Sequence, residues 1–215
     1  LRYDLSNNAT TVVVTVDDVL IQGLTIEAPG AGSNEYCMNF SSTTATNNYV
    51  DNVTFSTEEY GFLCSNKQIQ VTGSTFKHIS APKTDTHTYI NFARAEGTTI
   101  ISGCNFAGAK SDYNTTTCMT LSGSASAFTG IIAFLNNNNT GKNQVQYVFN
   151  NTIDLTGASL SLMFNNNSFT IGDAFARFLG ADGGVCMAGV KAIVAESNTE
   201  ILGLQNGAVG SRGII

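Results

Sequence analysis

Acidic side chains recur at a regular interval in the middle of the sequence. Glu58, Asp85 and Asp112 stand 27 residues apart, and His87 follows the second of them closely. Carboxylates and an imidazole are groups that enzymes commonly use as general acids and bases. In a repeating fold these positions would be superposed, so the sequence predicts one column of acids as the candidate catalytic site.

Several other charged residues accompany this column. Arg94, Glu96 and Lys110 lie in the same part of the chain, and Asp17 and Asp18 form an acidic pair ahead of it. Scattered acids on loops are usually a solvated face rather than a site. Both interpretations therefore stay open at this point.

The elements that would position these groups are short β-strands. Runs such as "TTVVVTV", "NVTFS" and "IQVTGSTF" are rich in β-branched and aromatic residues, and helix signals are nearly missing. A pattern of Gly or Asn, one residue, a small polar residue and then Ile or Phe recurs about every 29 residues between positions 26 and 201. Its copies end at Ile26, Phe55, Phe76, Phe106, Phe169 and Ile201, with a degenerate copy near Asn137.

This repeat resembles that of the pectate-lyase-like right-handed parallel β-helix family, over roughly Thr11 to Ile201. The resemblance implies an all-β solenoid of about seven coils at residues 11–202, with an N-terminal segment at 1–10 and a tail or further segment at 203–215. It also implies one tight turn per coil with inward-facing asparagines that hydrogen-bond from coil to coil. The predicted turn positions are Gly23, Asn52, Gly73, Gly103, Asn137, Asn166 and Asn198.

Two features of the sequence follow from this arrangement. Glycans at the Asn52 and Asn166 sequons would break the stack, so the seven sequons are weak evidence for a glycosylated secreted protein. The strand positions place Cys37, Cys64 and Cys118 in one interior file with Ile90, and Cys104 also faces inward. We therefore expect packed free thiols, with a disulfide-built secreted protein as the alternative, and neither a metal nor a cofactor.

The charge balance limits the partners. Ten Lys and Arg against sixteen Asp and Glu give a net charge of -6, and there is no basic cluster to neutralise phosphates, so we expect no nucleic acid. No apolar stretch of about 18 residues is present, so we expect no membrane span.

The resemblance implies two kinds of function. Members of the family that cleave acidic polysaccharides would use the Glu58, Asp85, His87 and Asp112 face, but of the polygalacturonase motifs only Asp17-Asp18 has an echo. We therefore predict a structural or adhesive virion protein, such as a bacteriophage capsid decoration, spike or fibre component. Its partners would be copies of itself, in a trimer for example, or other virion proteins, and a cell-surface polysaccharide. The alternatives are a tailspike-type polysaccharide lyase or hydrolase and a secreted, extracellular microbial adhesin.

Overall fold

The computed structural model describes residues 12–28, 36–57, 60–78, 87–107, 116–139, 145–151, 153–178, 189–202 and 212–214. This part of the chain contains twenty strands, numbered along the chain, and a short 3₁₀ helix at Ala125–Ala127. The strands form three sheets in which the pairings are parallel.

Sheet 1 contains β1 (Val12–Val14), β4 (Tyr36–Phe40), β7 (Tyr60–Cys64), β10 (His87–Phe92), β13 (Thr116–Leu121), β15 (Val145–Asn151), β17 (Ser168–Phe178), β19 (Thr199–Leu202) and β20 (Arg212–Ile214). Sheet 2 contains β2 (Leu20–Gln22), β5 (Asn48–Asp51), β8 (Ile69–Thr72), β11 (Thr98–Ser102), β14 (Ile131–Leu135), β16 (Leu160–Asn165) and β18 (Val190–Glu196). Sheet 3 contains β3 (Thr25–Ala28), β6 (Thr54–Thr57), β9 (Thr75–His78) and β12 (Asn105–Phe106).

Each of the first four coils takes one strand from each sheet in turn, so the chain is a parallel β-helix and the predicted all-β solenoid is confirmed. The regular part comprises about five turns, slightly fewer than the seven predicted. The reason lies in the third wall, where the fifth coil contributes only a bridge at Asn138. In the next coil, β17 starts in this wall at Ser168, which bridges Asn138, and continues without a break into sheet 1 at Phe178.

The interior is built from side-chain columns that run along the coil axis. In sheet 2 the inward column contains Val50, Val71, Ile101, Phe134 and Phe164, all fully buried. In sheet 3 the rings of successive coils stack almost in parallel. The Phe76 ring centroid lies 4.8 Å from that of Phe55, with planes 11° apart, and 4.8 Å from that of Phe106, with planes 3° apart. This spacing equals the distance between neighbouring strands, so the stacking follows from the pairing register.

Sheet 1 bends in the middle of each strand. The register skips the residue after the first pair, so that Tyr36 pairs with Tyr60 and Met38 with Phe62. Cys37 and Met38 are consecutive, yet both are fully buried. Two neighbouring side chains on a regular strand point to opposite faces, so the strand must turn a corner at this point.

This bend corrects the predicted interior file of Cys37, Cys64, Ile90 and Cys118. All four side chains are fully buried, but the register distributes them over three columns. Ile90 stacks on Phe62, and Cys64 on Phe92. The prediction of packed free thiols is confirmed for Cys37, Cys64, Cys104 and Cys118, while Cys186 lies outside the described residues.

The corner between sheets 2 and 3 has a left-handed residue in every coil. Its backbone N–H donates to a carbonyl of the next coil, as from Gly23 to Asp51 at 3.1 Å and from Asn166 to Glu196 at 2.8 Å. Gly and Asn adopt this conformation at lower cost than other residues, which explains why they recur here. The corner residues, with φ between 52° and 68°, are Gly23, Asn52, Gly73, Gly103, Asn136, Asn166 and Ser197.

The residue after each corner residue, not the corner residue itself, points inward. Asn52 and Asn166 have the predicted backbone, but they are exposed, so the prediction that their amides point inward was wrong. A left-handed residue directs its own side chain out of the turn and returns the next one to the core. Asn137 and Asn198 lie at this following position.

Three of these inner residues form an amide ladder, which is defined by Asn137, Asn167 and Asn198. The Oδ1 atom of Asn167 accepts from the backbone N–H of Asn137 at 2.9 Å and from its Nδ2 at 3.3 Å. The Asn167 Nδ2 donates to Asn198 Oδ1 at 2.9 Å and to the Phe134 carbonyl at 2.8 Å. A core can hold these amides because each has partners above and below.

The tail segment set apart in the sequence also contributes a strand. β20 pairs in parallel with β17, with Ala174 opposite Arg212 and Ala176 opposite Ile214. Sheet 1 therefore includes residues beyond position 202.

Candidate functional site

The predicted catalytic column lies mainly outside the described residues, which leave out Glu58, Asp85, Lys110 and Asp112. His87 is the first residue of β10, and its backbone pairs with Thr116. The catalytic interpretation of these residues therefore stays a prediction.

Arg94 and Glu96 follow the end of β10, whereas His87 begins this strand, so the three residues do not form one cluster. Glu96 instead forms ion pairs with Arg94 and with Lys67, whose Nζ lies 3.4 Å from Glu96 Oε2. This cluster joins the corners of two successive coils between sheets 1 and 2.

Four further described carboxylates, Asp17, Asp18, Asp51 and Asp154, lie in or beside turns. Asp17 Oδ1 accepts from the Thr46 backbone N–H at 3.1 Å. The hydroxyl and backbone N–H of Thr156 lower the pKa of Asp154, and the hydroxyl of Thr72 lowers that of Asp51. Asp18 has φ 57° and occupies a turn. No group of three or more His, Cys, Asp and Glu able to hold a metal occurs in the described ranges.

The outer face of sheet 1 carries two columns of polar and aromatic side chains; in the first of them Tyr36, Thr88, Thr117 and Tyr147 are buried and Tyr60 is half-buried. The bend places two outward columns three residues apart on each strand, on either side of two inward residues. We call this surface the tyrosine–asparagine face. Its first column is Tyr36, Tyr60, Thr88, Thr117 and Tyr147, and its second is Asn39, Leu63, Asn91, Thr120, Asn150 and Arg177.

The aromatic residues of this face contact one another and the second column. The rings of Tyr36 and Tyr60 lie 5.0 Å apart at 31°. Asn91 Nδ2 donates to the Tyr36 hydroxyl at 3.2 Å. Burial raises the pKa of Tyr36, an effect that the hydrogen bond from Asn91 partly offsets, so this hydroxyl stays protonated at neutral pH.

A positively charged side chain, Arg177, lies on the last strand of the face. The Arg177 guanidinium lies over the Tyr147 ring, with Cζ 5.2 Å from the centroid, and Nη1 donates to the Tyr147 hydroxyl at 3.1 Å. This arrangement fixes the guanidinium in a cation–π contact. It provides a positive group beside the row of amides.

Three amide oxygens of the second column have no hydrogen-bond partner. The Oδ1 atoms of Asn39, Asn91 and Asn150 are shielded from solvent and accept no hydrogen bond in the structure as described, and the Thr117 hydroxyl shares this state. A buried acceptor without a donor costs about 1–3 kcal/mol. Three such oxygens therefore repeat along the second column of this face, while other unpartnered polar atoms lie elsewhere, as at Asn66 and Thr99.

Sequence reasoning missed this face for a physical reason. Tyr36 and Asn39, like Tyr147 and Asn150, are three residues apart, and on a regular strand this spacing directs side chains to opposite faces. The signal that could have revealed it is the repeated spacing itself, together with two consecutive apolar residues between the polar ones.

The architecture and this face define the class of protein, a parallel β-helix with a tyrosine-rich and amide-rich outer sheet. No family model, curated protein or solved structure matches the chain. Within the described residues, no helix has the length and apolarity needed to cross a membrane.

Proposed function

We propose that this protein is a non-catalytic structural and adhesive β-helix that binds a polysaccharide along the tyrosine–asparagine face. The observation that carries the proposal is the row of unpartnered amide oxygens of Asn39, Asn91 and Asn150 beside tyrosine rings. Sugar hydroxyls donate hydrogen bonds to such oxygens, and the half-buried ring of Tyr60 offers an aromatic surface for a sugar ring. The same combination suits neither a nucleic acid nor an apolar ligand.

The dimensions of the face suit an extended chain. Its second column spans from the second coil to the seventh, which at about 4.8 Å per strand is roughly 24 Å. Because χ2 of asparagine is soft, a small rotation can present each oxygen to a ligand hydroxyl. Arg177 adds a charge at one end, so an acidic polysaccharide is the preferred ligand.

The setting we propose is a virion surface. A rod that adheres there needs stability and a binding face rather than chemistry, and four buried free thiols are compatible with assembly in a reducing compartment. Adjacent coils contact one another along all three walls, so the burial accumulates with coil number.

The test is direct binding to a panel of acidic and neutral polysaccharides by calorimetry. We expect Asn91→Ala and Arg177→Ala to weaken binding at least tenfold. Thr54→Ala, an outward residue on sheet 3, is the matched control and should leave the affinity unchanged. Absence of binding to every polysaccharide, or equal losses in the control, would contradict the proposal.

A parallel assay addresses the catalytic alternative. Reducing ends and unsaturated sugars are measured after incubation with the same panel. We expect neither product. Product formation that Asp85→Ala and Asp112→Ala abolish would replace the adhesive function with an enzymatic one.

A further inference from the structure

The outer face of sheet 2 has an apolar column along its centre. Ile132 and Phe134 are fully buried, so the residues between and beside them point outward. Leu20 and Tyr49 are 60% and 39% exposed. The central outward column is Leu20, Tyr49, Gln70, Ile100, Ala133, Met163 and Val194, in which only Gln70 is polar.

The other two sheets do not share this pattern. The matching column of the third wall, which continues from sheet 3 into β17 and β19, consists of hydroxyl and amide residues from Thr25 to Thr199, and the outer columns of sheet 1 are mainly polar. Parallel sheets with apolar outer faces are normally covered by another layer. Sheet 2 therefore has the composition of a covered surface.

Two further columns flank this central column, and their residue types indicate what covers the face. In the fifth coil both flanks are apolar, with Ile131 on one side and Leu135 on the other. In the other coils the flanks are polar or small. The leading flank is Asn47, Gln68, Thr98, Ile131, Ser161 and Ala192, and the trailing flank is Gln22, Asp51, Thr72, Ser102, Leu135, Asn165 and Glu196.

We propose that this face pairs with the same face of a second copy of the chain, about a two-fold axis parallel to the coil axis. Such an axis superposes equal coils and lays the leading flank over the trailing flank. Ile131 then meets Leu135 of the partner subunit, and polar flanks meet polar flanks.

The same axis also brings side chains of opposite charge close together. Glu196, exposed at the end of β18, lies opposite Ala192 of the partner subunit under this axis, so the exposed Lys191 next to Ala192 comes within reach of Glu196. A two-fold axis along the strands would instead place coil five over coil three. Ile131 would then meet Gln68 of the partner subunit, and the match would be lost.

The size of the face predicts a weak complex. Seven strands at about 4.8 Å and three columns over about 13 Å give a flat footprint of roughly 400 Å² per subunit. Stable interfaces bury about 800 Å² per partner, so we expect a dimer that dissociates in the micromolar range or above.

Sedimentation equilibrium over a range of concentrations tests the proposal, which is independent of glycan binding. We expect a monomer–dimer equilibrium that Met163→Glu weakens at least tenfold. Leu63→Glu, an apolar outward residue on sheet 1, is the matched control and should dimerise like the wild type. Circular dichroism confirms that both variants are folded.

Two further variants test the axis. Lys191→Glu should weaken dimerisation several-fold, and adding Glu196→Lys should restore it. Ile100→Cys lies on the axis and should be cross-linked to a dimer by a short bis-maleimide, because facing sheets lie about 10 Å apart, whereas Thr54→Cys should not. A monomer at every concentration, or association that Met163→Glu leaves unchanged, would overturn the proposal, and failure of the charge reversal would overturn the axis.

Discussion

Asn167 is the position where the amide ladder can be tested most sharply, by the substitution Asn167→Ala. Its side chain makes four hydrogen bonds, and the residue is 1% exposed. Truncation leaves the backbone N–H of Asn137 without an acceptor, whereas the Asn137 Nδ2 keeps its hydrogen bond to the Ile101 carbonyl at 3.0 Å. At about 1–3 kcal/mol for the orphaned N–H and about 1 kcal/mol for the other lost hydrogen bonds, the free energy of unfolding should fall by about 2–4 kcal/mol.

The neighbouring residue is the matched control. Asn166 is exposed at φ 56°, and its Nδ2 donates only to Asn136 Oδ1 in this part of the chain, at 2.7 Å. Gly tolerates this backbone, so Asn166→Gly should cost less than about 1 kcal/mol. The two variants separate an inward amide from an outward one at adjacent positions.

Urea unfolding followed by far-ultraviolet circular dichroism provides the measurement. With a slope of about 2 kcal/mol per molar urea, a loss of 4 kcal/mol lowers the midpoint by roughly 2 M. The slopes of the variants must agree for the midpoints to report stability. A loss below about 1 kcal/mol for Asn167→Ala, or a similar loss for Asn166→Gly, would refute the ladder as a source of stability.

Further predictions concern the core and the corners. Phe76→Ala removes the central ring of the stack and should cost about 3–5 kcal/mol in urea unfolding, with Phe76→Leu costing clearly less because leucine fills part of the cavity; equal losses would mean that the lost ring contacts, not the cavity, set the cost. Burial raises the pKa of the Cys64 thiol from 9.0 to about 12, so this thiol should resist alkylation in the native protein and react after unfolding, as mapped by mass spectrometry. The same raised pKa gives a stability contribution that is complete below pH 9 and lost between pH 9 and 12, on the order of 2 kcal/mol by pH 11, and Cys64→Ala should flatten this dependence in unfolding titrations. A Cβ at Gly61 would lie 2.3 Å from the Tyr89 carbonyl oxygen, so Gly61→Ala should lower the melting temperature by several degrees, whereas Gly23→Asn, at φ 68° with nothing within 4 Å, should leave it nearly unchanged.

The corners show how far the sequence determines the fold. Gly23, Asn52, Gly73 and Gly103 could be assigned because a left-handed turn restricts the residue types there. The runs "LNNNNT" and "FNNNSF" contain several residues that accept this conformation, so composition does not identify the left-handed one. In the first run it is Asn136, one residue before the predicted Asn137.

The outer faces were harder to predict than the interior. The bend in sheet 1 breaks the two-residue period on which strand predictions rely, so the pairing of Tyr36 with Asn39 on one face is not visible in the sequence. In sheet 2 the apolar residues point both inward and outward, as in "IIAFL" of β14, and an unbroken apolar run does not show which face is covered. Both surfaces depend on strand register, which only the assembled coils define.

The amide ladder adds a second kind of contact between coils to the trailing half of the rod. Ring contacts join coils in both halves, as between Phe55 and Phe76 and between Phe149 and Phe178, whereas the buried amides join only the corners from Asn137 to Asn198. Apolar burial weakens on cooling, whereas hydrogen bonding does not depend on temperature in this way. On cooling, the leading half of the rod should therefore lose stability before the trailing half, which holds the amide ladder.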